Sequence, residues 1–216
     1  MRYALRMSSP LMAEAKPLKL ILAHHLRPTQ ASMGALAMEE KLKKLKSLND
    51  FDRAQYLKDQ AVPAVLGPSS TLYMLDRHHT TRAMHELHGE KAQVYYYVAG
   101  NLSHHTEDVF LQKMIEAEYL NLFDPNGSPI EPKDLPQTVM GLKDDPYRSL
   151  AYFVRRVHGF NKSKKPFAEF LWAGFFRKHI QLIQHEDPIK KEILDQAVAL
   201  AHSHHAKHLP GYMGPL

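Results

Sequence analysis

The stretch Leu72-Tyr73-Met74-Leu75-Asp76-Arg77-His78-His79-Thr80-Thr81-Arg82-Ala83-Met84 changes character twice within thirteen positions, which limits what the chain around it can fold into. Leu72 to Leu75 is an apolar run of strand length. Asp76 to His79 holds no large apolar side chain and reads as a turn at a surface. From Thr80 the spacing of Ala83, Leu87 and Met84 predicts a helix with one apolar face. Asp76 or either threonine is positioned to cap it. A strand that feeds a helix N-terminus leaves backbone N–H groups without partners, and these together with the helix dipole favour an anion, above all a phosphate. His78, His79, Thr80, Thr81 and Arg82 add donors, and the planar fork of Arg82 suits phosphate oxygens. Asp76 supplies a carboxylate able to act as a base or hold a metal. The plain structural alternative is a strand–helix junction in which Arg82 pairs with Glu86 one turn on.

Elements of the same kind flank this stretch. Leu18–Ala23 reads as a first strand, followed by the polar turn His24–Gln30. Met33–Leu48 reads as a helix with Met38, Leu42 and Leu45 on one face and lysines on the other. Ala61–Leu66 is a second apolar run, and Pro63 predicts that it lies at a sheet edge. Gly89 suits a helix C-cap, and Gln93–Ala99 is the most strand-like segment of the chain. The order β-α-β-β-α-β up to about residue 103 predicts a small mixed α/β domain (α+β in its connectivity) over 17–105. Helical periodicity then dominates: 106–122, 150–157, 166–183 and 188–205. The Phe167–Phe176 segment is too apolar to stand exposed, so region 106–216 is expected to pack on the first as a helical extension, with Trp172 in the core. Residues 1–16 read as a disordered leader.

Composition adds exclusions. The 216 residues carry 44% hydrophobic and 24% charged side chains, an ordinary globular balance. No cysteine is present, which excludes a disulfide framework, a thiolate metal site and a cysteine nucleophile. No apolar run reaches the length of a membrane span, so a cytoplasmic location and no membrane partner are expected. A net charge of +5 suits a polyanion without requiring one. Lys162, Lys164 and Lys165 read as a solvated basic loop that could touch nucleic acid. Glu169, set among aromatics, is expected to pair with Arg148 or Arg155. The tail histidines His202, His205, His204 and His208 have metal-ligand spacing but no companion carboxylate.

Three further pieces carry a family resemblance. His25-Leu26-Arg27-Pro28-Thr29-Gln30 with Gly34 and Lys41 is similar to an "LxPTQ…G…K" opening box. Val62–Pro68 follows it. Tyr73–His79 then stands where the family shows D-G-H-H, with Arg77 in the glycine position. Asp144-Asp145-Pro146-Tyr147-Arg148-Ser149-Leu150 and Pro166–Ala173 match the second half. The chain thereby resembles the ParB/sulfiredoxin-like superfamily, in its ParB-like nuclease branch, over roughly residues 17–185. The resemblance implies a small α/β domain with a phosphate-binding turn at a helix start. It implies an enzyme of phosphoryl transfer, phosphate hydrolysis or nucleic-acid cleavage, or else a non-catalytic nucleotide- or DNA-binding module. The implied catalytic residues are Asp76, His78 and His79. The implied ligand-binding residues are Arg27, Thr29, Gln30, His79, Thr80, Thr81 and Arg82, with Mg²⁺ on Asp76 and ATP, ADP or CTP as nucleotide. Sulfiredoxin chemistry is excluded by the missing cysteine. Gln30 stands near the glutamate base of the related serine kinases and cannot accept a proton, which argues against that activity.

Overall fold

The computed structural model describes residues 16–182 and 189–215. The leader expected over 1–16 lies outside the described residues except for its last position, as do Ile183 and Pro188, the expected limits of two helices. Among the described residues the strands are β1 (Lys19–Leu22), β2 (Leu26–Pro28), β3 (Ser32–Met33), β4 (Val62–Leu66), β5 (Leu72–Met74), β6 (Gln93–Asn101) and β7 (Lys143–Asp144). The α-helices are α1 (Ala35–Ser47), α2 (Asp50–Asp59), α3 (His78–His88), α4 (Glu107–Glu116), α5 (Pro146–Arg156), α6 (Ala168–His179) and α7 (Lys191–His202). The fold is mixed α/β.

Five strands form a mixed sheet in the order β1-β6-β4-β5-β2. Side chains alternate across it with the period of a strand. Ala64 and Met74 face α1 and α3, where Leu45, Ala83 and Met84 complete a buried cluster. Val65 and Tyr73 face the other way and pack on Phe110 and Met114 of α4. Helices on both faces explain why β4 and β5 are apolar throughout rather than alternating. The segment between β1 and α1, expected to be a turn, contains β2, which pairs in parallel with β5.

Pro63 does not mark an edge. β4 is the middle strand, parallel to β6 and antiparallel to β5. The Pro63 carbonyl accepts from Leu75 N–H on the β5 side. β5 stops at Met74, so the missing donor of the proline falls where that ladder ends and little is lost.

The second half is not wholly helical either. β7 pairs in parallel with β3, far away in sequence. Asp145 N–H donates to the Met33 carbonyl at 2.8 Å, and Asp144 Oδ1 accepts from Ala35 N–H at 2.7 Å. The approach is close: a Cβ on Gly34 would meet Ser149 N and Oγ at 2.6 Å. That contact accounts for the glycine of the opening box without any appeal to backbone freedom. Beyond it, α5, α6 and α7 enclose a cluster of their own around Trp172, Phe176, Leu150 and Ala197. Trp172 is fully buried, stacks on Phe160 at 4.2 Å and donates from Nε1 to the Pro210 carbonyl.

Candidate functional site

β5 delivers the chain to the start of α3 through Asp76 and Arg77. Arg77 occupies the helix N-cap position with φ 71° and ψ 18°, a left-handed conformation that a glycine would adopt at no steric cost. Arginine thus keeps the backbone of the motif while adding a cation. Asp76 holds it there: Oδ1 accepts from Arg77 N–H at 2.6 Å and Oδ2 pairs with its guanidinium at 2.9 Å. The expected cap is therefore absent. Among the described residues no side chain accepts from the first-turn N–H groups of α3, and no acidic residue lies in that turn. The helix start is left open to an anion.

Two histidines follow. His78 is buried, and its Nε2 accepts from Thr29 N–H at 3.3 Å while Thr29 Oγ1 donates to the Met74 carbonyl. Burial lowers its pKa to about 4; Asp76 works against this and Arg148 adds to it. His78 is therefore neutral near pH 7. The Thr29 bond places its proton on Nδ1. Burial, Arg148, His78 and Lys41 hold His79 well below the usual histidine range, against the neighbouring Gly34 carbonyl. Its Nε2 has no hydrogen-bond partner among the described residues.

These residues line one cleft of about 610 Å³. α1 contributes Ala37 and Lys41, α5 contributes Arg148, Tyr152 and Arg155, and the chain from Phe160 to Phe170 closes the far side. Of the sequence-predicted residues, the structure brings Gln30, Asp76, His78, His79 and Thr80 into the lining. Thr29 stands behind His78. Thr81 is fully buried and outside the lining. Arg27 lies over the Tyr73 ring at 5.5 Å, away from the cleft. Arg82 pairs with Glu86 through Nε at 2.8 Å, and its Nη1 donates to the carbonyls of Val139 and Met140. It ties the 139–141 turn to α3 and takes no part in the lining.

Sequence reading missed the cation at the centre. Arg148 is only 8% exposed, its Nη2 pairs with the Glu169 carboxylate, and its guanidinium lies 5.3 Å over the Phe170 ring. Its Nε and Nη1 have no hydrogen-bond partner among the described residues. Glu169 is also held by Arg155, so both expected pairings exist at once. Burial pushes the Glu169 pKa up, but the two arginines outweigh it and hold the carboxyl below the usual range. The signal for Arg148 was present in the Asp145-Pro146 helix start, which fixes where the first turn of α5 points.

The lining carries seven cationic side chains (Lys41, Arg77, Arg148, Arg155, Lys162, Lys164 and Lys165) against two carboxylates, Asp76 and Glu169, each already paired with arginine. Among the described residues no three His, Asp or Glu side chains converge as metal ligands. This donor set fits an anion and does not fit a resident divalent cation on Asp76. In the tail, His202 Nδ1 is engaged by the Gly214 carbonyl at 2.7 Å.

Fold and cleft together define a mixed α/β protein with a cationic pocket at a strand-to-helix turn. The chain belongs to the family described as "Putative ParB-like nuclease", whose model matches residues 20–178. It is similar to the crystal structure of protein Atu1540 from Agrobacterium tumefaciens, at 33% identity and a TM-score of 0.81 over 93% of this chain and 100% of that one. Among curated proteins there is no match. No helix among the described residues is long and apolar enough to cross a membrane.

Proposed function

We propose that the cleft binds phosphate groups of a nucleotide or a nucleic acid and hydrolyses a phosphate ester there. The observation that carries this is the meeting of an uncapped α3 N-terminus with a buried arginine that has two unused donors. Buried donors without partners are costly, and a phosphate oxygen satisfies them. The α3 N–H groups and Arg148 orient the phosphate and offset its charge, which is most of what such chemistry asks of a protein. His79 is neutral, with a free lone pair at Nε2. A water oxygen forms the new bond to phosphorus, its proton passes to Nε2, and the ester P–O bond breaks, the leaving oxygen taking a proton from solvent. Because the donor set does not suit a resident metal, Mg²⁺ is given no step.

A second reading, a binding module without turnover, is favoured by one observation: burial and Arg148 hold His79 well below the usual histidine range, which makes it a weak proton acceptor. Shielding does not separate the readings, since Arg148 Nε and Nη1 are as buried as His79 Nε2. Titrating the full chain with ATP, CTP and a short single-stranded DNA, in EDTA and in Mg²⁺, separates the readings when phosphate release is followed alongside. Arg148→Ala is expected to weaken binding about 10- to 150-fold, equivalent to the roughly 1.5–3 kcal/mol of a charged hydrogen bond, while Arg82→Ala leaves it unchanged. His79→Gln should keep binding and stop release. Binding with no release in the unaltered protein would establish the module instead, and no binding of any of the three would remove both readings.

A further inference from the structure

A second helix opens onto the same cleft. α6 has no side-chain cap, and its N-cap residue Phe167 is left-handed, with φ 53° and ψ 23°. Its first residues, Ala168, Glu169 and Phe170, line the cleft. α3 and α6 both start without a side-chain cap after a non-glycine residue with positive φ, and both line one space. At α6 the Ala168 and Phe170 N–H groups already donate to the Lys165 and Phe167 carbonyls, so the Glu169 N–H is the group its first turn offers. A helix start alone would say little, but Arg148 is an independent sign. It is more than nine-tenths buried, it reaches Glu169 in the first turn of α6, and its Nε and Nη1 are unpartnered. Lys162 and Lys164, in the loop before α6, line the cleft and pair with no carboxylate among the described residues. Lys165, beside them, has only a 3.4 Å contact with Glu118.

The geometry points to a second anion subsite at the start of α6, so that the cleft takes a ligand with at least two linked phosphoryl groups. This rests on the phosphate reading of the α3 subsite and extends it. One phosphoryl group lies at the α3 N–H groups. The next is met by the α6 start with Lys162 and Lys164, and Arg148 stands between them with donors for either. The shared chemistry is a chain of phosphates, supplied by a nucleoside triphosphate or by a single strand of nucleic acid. The Glu169 carboxylate lies at the α6 end, and its pairing with Arg148 and Arg155 offsets its repulsion of the second phosphoryl group.

Calorimetry on the full chain tests this with inorganic phosphate and inorganic tripolyphosphate at physiological ionic strength, where diffuse surface attraction is screened. Tripolyphosphate is expected to bind at least about tenfold more tightly, the gain of one further charged hydrogen bond. The double variant Lys162→Ala/Lys164→Ala should lose that advantage and keep its affinity for inorganic phosphate. The charge-matched pair Lys43→Ala/Lys46→Ala, on the exposed side of α1, should keep both. Equal affinity for the two anions overturns the second subsite and leaves the α3 reading standing. So does an advantage that survives in the loop variant, or one that falls equally in the α1 variant. Failure to bind either anion removes the α3 reading and this one with it. Competition by ATP or by a 5′-phosphorylated tetrathymidylate then identifies the source. Displacement by either supports the proposal, and displacement by neither overturns it.

Discussion

α5 and α3 each follow an aspartate and are finished at their starts in opposite ways. At α5, Asp145 is 2% exposed and its Oδ1 accepts from Tyr147 and Arg148 N–H, while Oδ2 pairs with Arg177 at 2.7 Å and Pro146 occupies the first turn. The cap, its ion pair and the proline of the first turn all serve that helix start. At α3 the neighbouring aspartate turns away to its own Arg77, and nothing caps the first turn. An aspartate before a helix is thus ambiguous. One such residue closes its helix, and the other holds a cation at the edge of an open one. The open end is the one that faces the cleft.

The contrast can be broken most severely at the closed end. Asp145→Ala removes a cap and leaves Arg177 with the Pro125 carbonyl in place of its carboxylate, a loss of about 3–5 kcal/mol by the measure of other broken buried pairs, to be read by urea unfolding. Next comes the acid sensitivity of the open end. The unfolded chain protonates His78 near pH 6.5, while the folded protein does so only near pH 4. Stability therefore falls as the pH drops from about 6.5 to about 4, by on the order of 3 kcal/mol in all. His78→Gln should flatten that part of a stability–pH curve, and an unchanged slope would mean that the ring is not held neutral. Thr80→Asp sharpens the comparison, since it puts a carboxylate inside the first turn of α3, whereas that of α5 sits at the cap. Thr80 is buried, so the desolvation of the new carboxylate should outweigh the dipole's gain of about 0.3–1 kcal/mol, and stability should not rise while phosphate affinity is lost. Asp76→Asn should matter least. Its carboxylate is 62% exposed, so losing the pair with Arg77 should cost less than about 1 kcal/mol, with phosphate affinity retained. A large loss of affinity would place Asp76 in the site as a ligand-binding group.

The sequence made the β-α-β-β-α-β order, the Phe167–Phe176 core helix and the Glu169 ion pairs legible, because each is written in local periodicity or in an unavoidable burial. It hid what depends on distant partners. Pro63 carries an edge signal, but the place where β5 ends decides its cost, and that is set eleven residues later at Met74. β2 and β7 are three and two residues long and exist only through their pairing with β5 and β3. The carboxylate of Asp76 and the guanidinium of Arg82 looked equally fit for a phosphate site. Glu86 and the 139–141 turn claimed the arginine, and Arg77 claimed the aspartate. Arg148, more than sixty positions from the motif, reaches the cleft only because Gly34 lets α5 approach α1 closely.

That junction also sets an order of birth. The bond from Asp144 to Ala35 N–H closes a loop of 109 residues. At ribosomal speeds of about 5–20 residues per second, roughly 5–20 s pass between the emergence of its two ends. During that interval the turn at His78 has been made, but α1 lacks the carboxylate that satisfies its first N–H, and the cleft lacks Arg148. A nascent chain therefore carries the motif without the pocket, and the pocket comes into being in a single late closure, when the segment after residue 143 docks against β3.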